Sequence, residues 1–258
     1  MRGVARMKTN KVTKFLFRRQ VIGLAEMYLF LFAAFLILPF LFSAISGSLD
    51  DYSLSQQMQG SWVTAAFGVY MFAISTLSYE NFKFLIQNGI SRPTFFNAQI
   101  VVNGLLILIG NTFNLVYQYL VLMPLVHARN TNIFMSSYSG YIHNSILDFI
   151  ANFIFSGLLL VVGALFGMVI GNFLTLFSKF VQRIILIATP VIGYITLMYT
   201  ASRVILDRNF QMTWVANFAK FILGYRATGS YDPFPMIVAM VVIAVVMLLI
   251  TRYLFSKK

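Results

Sequence analysis

Residues 84–118 read FLIQNGISRPTFFNAQIVVNGLLILIGNTFNLVYQ, and two features of that stretch decide how the chain folds. The first is a break. Gly89 supplies the left-handed conformation that ends a helix, and Ser91 supplies an oxygen that caps the next one. Pro93 then falls in the first turn, where a missing N–H does little harm. The second feature is the long apolar run opened by Phe95 and Phe96, which carries Gln99, Asn103, Asn111, Asn114 and Gln118. At about 100° per residue, with Asn103 as zero, these five amides fall at about −40°, 0°, 80°, 20° and 60°. They share one third of the circumference. An amide facing hydrocarbon is costly, so this stripe turns toward protein or water. Two uses stay open for it. One is hydrogen bonding between helices, worth about 1 kcal/mol per contact. The other is the lining of a polar path or of a seam between subunits, with Asn103, Asn111, Asn114 and Gln118 as its residues.

The rest of the chain has the same character. Of 258 residues, 59% are hydrophobic and only 10% are charged, against about 25% charged in a soluble domain. Too little polar surface exists to cover a water-soluble globule. Six apolar runs reach membrane-spanning length, at 27–47, 61–80, 95–125, 146–172, 183–204 and 234–255. They are continuous rather than alternating, which excludes a membrane β-barrel. The third and fourth exceed the need, so tilt or extension beyond the hydrocarbon is expected. The expected fold is all-α and integral to the membrane, with one transmembrane domain over 1–258. It comprises a basic cytoplasmic or interfacial segment (1–26), a six-helix bundle (27–255) and a short cytoplasmic tail (256–258). The first run is too long for the apolar core of a cleaved signal peptide. There is no cysteine, which excludes disulfides and thiol chemistry.

The formal charge of +12 is distributed as a topology signal. Seven of the nineteen Lys and Arg precede residue 20, and Lys83, Arg92, Lys179, Arg183 and Arg252 mark alternate loops and the tail. The segment 48–60 has none and carries Asp50 and Asp51. Both termini and the 84–96 break are therefore expected in the cytoplasm, facing anionic lipid rather than nucleic acid. The exception is 205–233, an outer segment with Arg208, Lys220 and Arg226. Within it Trp214, Phe218, Phe221, Ile222 and Tyr225 recur at helical spacing, which predicts an amphipathic helix at the outer interface, with a re-entrant hairpin as the alternative. The N-terminal stretch KFLFRRQVIGLAEMYLF alternates in the same way. It predicts a short interfacial helix bending into the first span near Glu26.

Catalytic signatures are missing. The sequence has no phosphate-cradling GxxxxGK[ST], no HExxH and no Gly-x-Ser-x-Gly, and its two histidines, His127 and His143, fall on the expected outer side. No intrinsic catalytic site, metal site or cofactor site is expected. Gly163, Gly167 and Gly171 make a GxxxGxxxG stripe suited to close helix packing. Asn144, Asp148 and Asn152 are spaced by four at the outer end of the same run. Pro190 frees a carbonyl in the fifth run and permits a bend.

The break resembles a segment of the membrane subunits of type-2 ABC exporters. There the second span runs into an aromatic or Leu, a Gly, a Ser-Arg pair and aromatics that open the third. Phe84, Leu85, Asn88, Gly89, Ser91, Arg92, Phe95 and Phe96 match that order here. Pro93 departs from it, because Lys or Arg usually follows Ser-Arg. Six spans, cytoplasmic termini and the two amphipathic segments fit the same family. The resemblance implies a permease subunit of a bacterial cell membrane exporter. Phe84, Asn88, Gly89, Ser91 and Arg92 would dock on a separate ABC ATPase subunit, which would hold ATP and Mg. A second copy or a paralogous permease would complete the pathway, with an amphipathic peptide or drug as the substrate. The alternatives are a non-transport immunity or sensor protein binding an extracellular peptide or lipid, and an ion-coupled transporter or channel. The latter normally needs an acid within a span, and only Asp148 comes near one.

Overall fold

A computed structural model describes residues 2–58, 62–126, 132–138, 141–142, 144–206, 213–226 and 231–257. It is helical almost throughout, and six of its helices are long and apolar enough to cross a membrane. The first covers Thr9–Ile45, the second Trp62–Gln87, the third Arg92–Leu125 and the fourth Ser145–Leu174. The fifth candidate span, Lys179–Thr196, lies within a helix that continues to Leu206, and the sixth covers Pro233–Phe255. Asp207, Arg208, His127, Arg129 and His143 lie outside the described residues.

The expected bend near Glu26 is replaced by continuity. Helix Arg2–Phe32 runs through a π-helical turn at Ala33–Ile37 into helix Leu38–Ile45. The 37 residues from Thr9 to Ile45 extend about 55 Å, more than the roughly 45 Å of a bilayer with its headgroups. One end therefore projects into water, and the basic residues make the N-terminal end the one suited to do so. The physical reason for continuity is burial: Val12 and Leu16 are packed into the main core, which ties the basic segment to the bundle.

The π turn has a local cause. Pro39 offers no N–H and its ring crowds the carbonyl four residues back. A wider turn immediately before it relieves that crowding. Tyr52, from the following loop, donates to the Leu36 carbonyl at 3.3 Å, serving a group inside the widened turn. The pattern recurs in the third span, where the π turn Gln118–Leu122 precedes Pro124.

Packing centres on the fourth span, which lies against the second, third and sixth, while the first pairs with the third. The glycine stripe splits between two roles. A Cβ on Gly171 would overlap the Thr76 backbone, and one on Gly167 would crowd the Phe72 carbonyl. These two glycines let the fourth span close on the second. Gly163 instead faces open space. The fifth span is different from all others. It makes no extensive contact with another described helix, and none of its described side chains is buried.

On the expected outer side, the chain folds into an aromatic knot. Helix Ile133–Tyr138 sets Phe134 and Tyr138 against Phe155, with ring centroids 5.4–5.5 Å away. Burial pushes the Tyr138 hydroxyl above the usual tyrosine pKa, so it remains a neutral donor to the Leu223 carbonyl at 3.5 Å. Helix Thr213–Ile222 is the amphipathic segment anticipated at 205–233, with Trp214, Phe218 and Phe221 exposed. Two of the three cations that broke the charge rule, Lys220 and Arg226, are engaged here. Arg226 pairs with Asp232 and sits over the Tyr141 ring, and Lys220 lies over Tyr225. The Asp232 hydrogen bond holds the Arg226 guanidinium above its ordinary pKa.

The two glycine roles separate under substitution. Gly171→Val should lower stability by about 1–3 kcal/mol through overpacking, whereas Gly163→Ala should be neutral or slightly stabilising. Thermal unfolding in one detergent compares them directly. Equal melting of the two variants would contradict this packing.

Candidate functional site

The break closes as its residues dictate. Helix Ser78–Gln87 ends at Asn88, and Gly89 takes φ +76°. The Ile90 N–H reaches the Leu85 carbonyl at 3.0 Å and the Gly89 N–H reaches the Ile86 carbonyl at 2.9 Å, the paired bonds of a Schellman cap. Asn88 adds a side-chain bond to the Phe84 carbonyl at 2.8 Å. Ser91 then caps the third span, accepting from the Thr94 N–H at 3.4 Å and lying 2.7 Å from the Thr94 hydroxyl. Pro93 falls in the first turn, so its departure from the Lys or Arg of the resembling family does no damage to the helix start. The irregular part is short, from Asn88 to Ser91.

Behind the break stands an aromatic wall. Phe82, Phe95 and Phe255 meet with centroids 5.2–5.7 Å apart, and Phe96 lies 5.8 Å from Phe255. Leu85 and Phe95 are buried in the main core. Phe84 points the other way, 53% exposed, and stacks on Phe15 of the first helix at 6.3 Å. Arg19 donates to the Asn81 side chain at 2.6 Å, which pins that helix beside the break. The exposed surface so assembled carries Phe84, Asn88 and Arg92, flanked by Lys11, Lys14, Arg18 and Arg19. On its other flank Arg92 and Arg252 border one depression with Phe96 and Phe255. The result is a basic platform bearing a stacked aromatic pair, Phe15 and Phe84, backed by buried aromatic rings. It has the charge and shape to receive an acidic partner with an apolar pocket.

Sequence reasoning found the break but not its supports. Phe15, Arg252 and Phe255 lie far along the chain from it, and nothing in their local sequence signals the meeting.

The amide stripe lies inside the single chain. Gln99, Asn103, Asn111, Asn114 and Gln118 are each no more than 5% exposed. A seam between two copies would therefore need other surface. Gln99 donates to Asn103 at 2.9 Å, Asn103 donates to Ser75 of the second span at 3.2 Å, and Asn111 donates to the Phe153 carbonyl of the fourth at 2.9 Å. Tyr28 of the first span donates to Asn114 at 3.2 Å. At the outer end, Asn132 donates to both Gln118 and Asn152 at 2.9 Å, and its oxygen accepts from the Met135 N–H. Asn132 was not anticipated. An asparagine just before a short apolar helix is a capping signal, and that was the available clue. Asn152 joins the stripe, whereas Asn144 caps the fourth span. A cavity of about 240 Å³ borders Asn111, Asn114, Gln118, Asn132 and Asn152. Gly163 also borders it, while Gly167 and Gly171 serve packing.

No family model matches the chain, and neither does any curated protein or solved structure compared with it.

The break should resist substitution by its backbone conformation. Gly89→Val should cost about 1–2 kcal/mol, because a β-branched side chain is strained at positive φ, and Gly89→Asn should cost less. Ser91→Ala should cost about 1 kcal/mol through loss of the cap. Melting temperatures in matched detergent rank the three. Gly89→Val melting with the parent would contradict the left-handed cap.

Proposed function

We propose that this chain is the permease subunit of an ATP-driven exporter, with the 84–96 break as the surface on which a separate ABC ATPase docks. The observation that carries this reading is the platform. An exposed Phe84 and Arg92 stand on a capped turn, backed by Phe82, Phe95 and Phe255, and flanked by the basic face of the first helix. A loop that merely joined two spans would need no buried aromatic base. A rigid base suits a surface that transmits force, because a soft one would absorb the displacement.

In this mechanism the partner holds ATP and Mg and carries out the hydrolysis. Closure of the ATPase pushes on Phe84 and Arg92. The push passes through the Phe82–Phe95–Phe255 cluster to the starts of the third span and the end of the sixth. The third span is bonded through its amides to the first, second and fourth, so it moves them with it. Two copies, or this chain and a paralogue, form the pathway in the cell membrane. The uncovered apolar faces of the fifth span and of the first around Leu29–Ile45 suit that contact. The substrate class in this reading is an amphipathic peptide or a drug.

Purification from native membranes in mild detergent tests this. A stoichiometric ABC ATPase should accompany the chain, and its retention should fall with rising salt because the platform is basic. Phe84→Ala should weaken the complex by about 2 kcal/mol, roughly thirtyfold, and Arg92→Glu should abolish it while the melting temperature stays within a few degrees. Repeated native preparations without an ATPase would overturn the proposal.

A further inference from the structure

The cavity beside the amide stripe has the features of a ligand site. It lies among the second, third and fourth spans, entirely within one chain. Its polar end is formed by Gln118, Asn132 and Asn152, which satisfy one another. Its remaining walls are mainly apolar, with Leu115, Phe134, Phe155 and Leu160 among them. No charged side chain is among its lining residues. One group in it is unfinished. Asn114 is 3% exposed, and its oxygen accepts from Tyr28, but its Nδ2 has no hydrogen-bond partner. A buried donor left unmade is expensive, and a bound acceptor would remove that cost.

The cavity opens sideways. Ala65 and Leu159 at its rim are exposed, Gly68, Ser156 and Gly163 are partly exposed, and a Cβ on Gly163 would meet nothing within 4 Å. These residues fall within the second and fourth spans, where the surroundings are acyl chains. Access is therefore from the bilayer. A phosphate or carboxylate would find no cation to pair with. The volume of about 240 Å³ is below the roughly 300–1,000 Å³ of drug-sized sites, so the occupant is small. Asn114 lies eleven residues before the span end at Leu125, about 16 Å along the helix. That is deeper than the ester region at the edge of the hydrocarbon, which disfavours an intact phospholipid.

We propose that this cavity binds a small, uncharged, lipid-soluble molecule bearing a carbonyl, which enters between the second and fourth spans and accepts a hydrogen bond from Asn114 Nδ2. The site is independent of the exporter reading, since it is complete in one chain and needs no ATPase.

Photolabelling of the purified chain in lipid nanodiscs tests it. The probe is a medium-chain methyl ester carrying a diazirine at the chain end. The controls are the matching methyl ether, which lacks the carbonyl, and a phosphatidylcholine with the same diazirine on one chain. The ester should label lining residues of the second and fourth spans saturably, and the ether should do so about five- to tenfold less well. The phospholipid should label these positions no more than it labels the fifth span. Gly163→Leu, whose side chain projects into open space, should remove the saturable labelling without lowering the melting temperature. Asn114→Leu should erase the difference between ester and ether, and serves if Gly163→Leu fails to fold. Unsaturable labelling, equal labelling by ester and ether, or labelling indifferent to both substitutions would overturn the proposal. Preferential labelling by the phospholipid would overturn it too, in favour of a lipid chain.

Discussion

A ladder of neutral amides on one face of the third span sets the arrangement of the bundle. In lipid, apolar side chains gain nothing by leaving one helix surface for another, so association rests on packing and hydrogen bonds. From Gln99 to Gln118 the third span offers amides at successive heights. From Asn103 outward, each height meets a different neighbour: Ser75 of the second span, the Phe153 carbonyl of the fourth, Tyr28 of the first, and Asn132 before the short outer helix. Rotating the third span by one residue would break the set together. Because the ladder fixes that rotation, Phe95 is delivered into the aromatic cluster and Arg92 to its rim. The glycine contacts of the fourth span then close the second span over the ladder's inner end.

Much of this was legible in the sequence because the signals were periodic or local. The six spans follow from run length, the stripe from 100° spacing, and the turn from Gly89, Ser91 and Pro93 in order. What escaped depended on partners distant in sequence. Val12 and Leu16 gave no sign that burial would keep the basic segment continuous with the first span. Pro39 and Pro124 are ordinary prolines in apolar runs, and only the backbone reveals that each follows a widened turn. Gly163, Gly167 and Gly171 look equivalent as a motif, yet only the two nearer the expected cytoplasmic end meet the second span. Arg226 counts against the charge rule in the sequence, where Asp232 offsets it only in part, and its place over the Tyr141 ring is visible only in the fold. A residue-by-residue charge tally cannot see such pairing.

The structure separates two kinds of surface. Inside the chain, the third span's amides bond to one another and to neighbouring helices, and Asn114 keeps one unpaired donor at the cavity. Outside it, the fifth span and much of the first present apolar residues to whatever surrounds them. Beneath both, at the N-terminal end of the third span, basic residues surround the exposed, stacked pair Phe15 and Phe84. Under the proposed function, the apolar faces would meet lipid or a second membrane subunit, and the basic platform a water-soluble protein.

The functional account requires that platform to face the cytoplasm, together with the N-terminal segment and away from the loop holding Asp50. The chain has no cysteine, so single cysteines report sidedness without background. Asn88→Cys and Ser53→Cys, each probed in intact cells with a membrane-impermeant maleimide and again after permeabilisation, make the measurement. The account predicts that Ser53→Cys labels in intact cells and Asn88→Cys only after permeabilisation. Labelling of Asn88→Cys from outside would place the platform on the wrong side of the membrane and contradict its role as an ATPase dock.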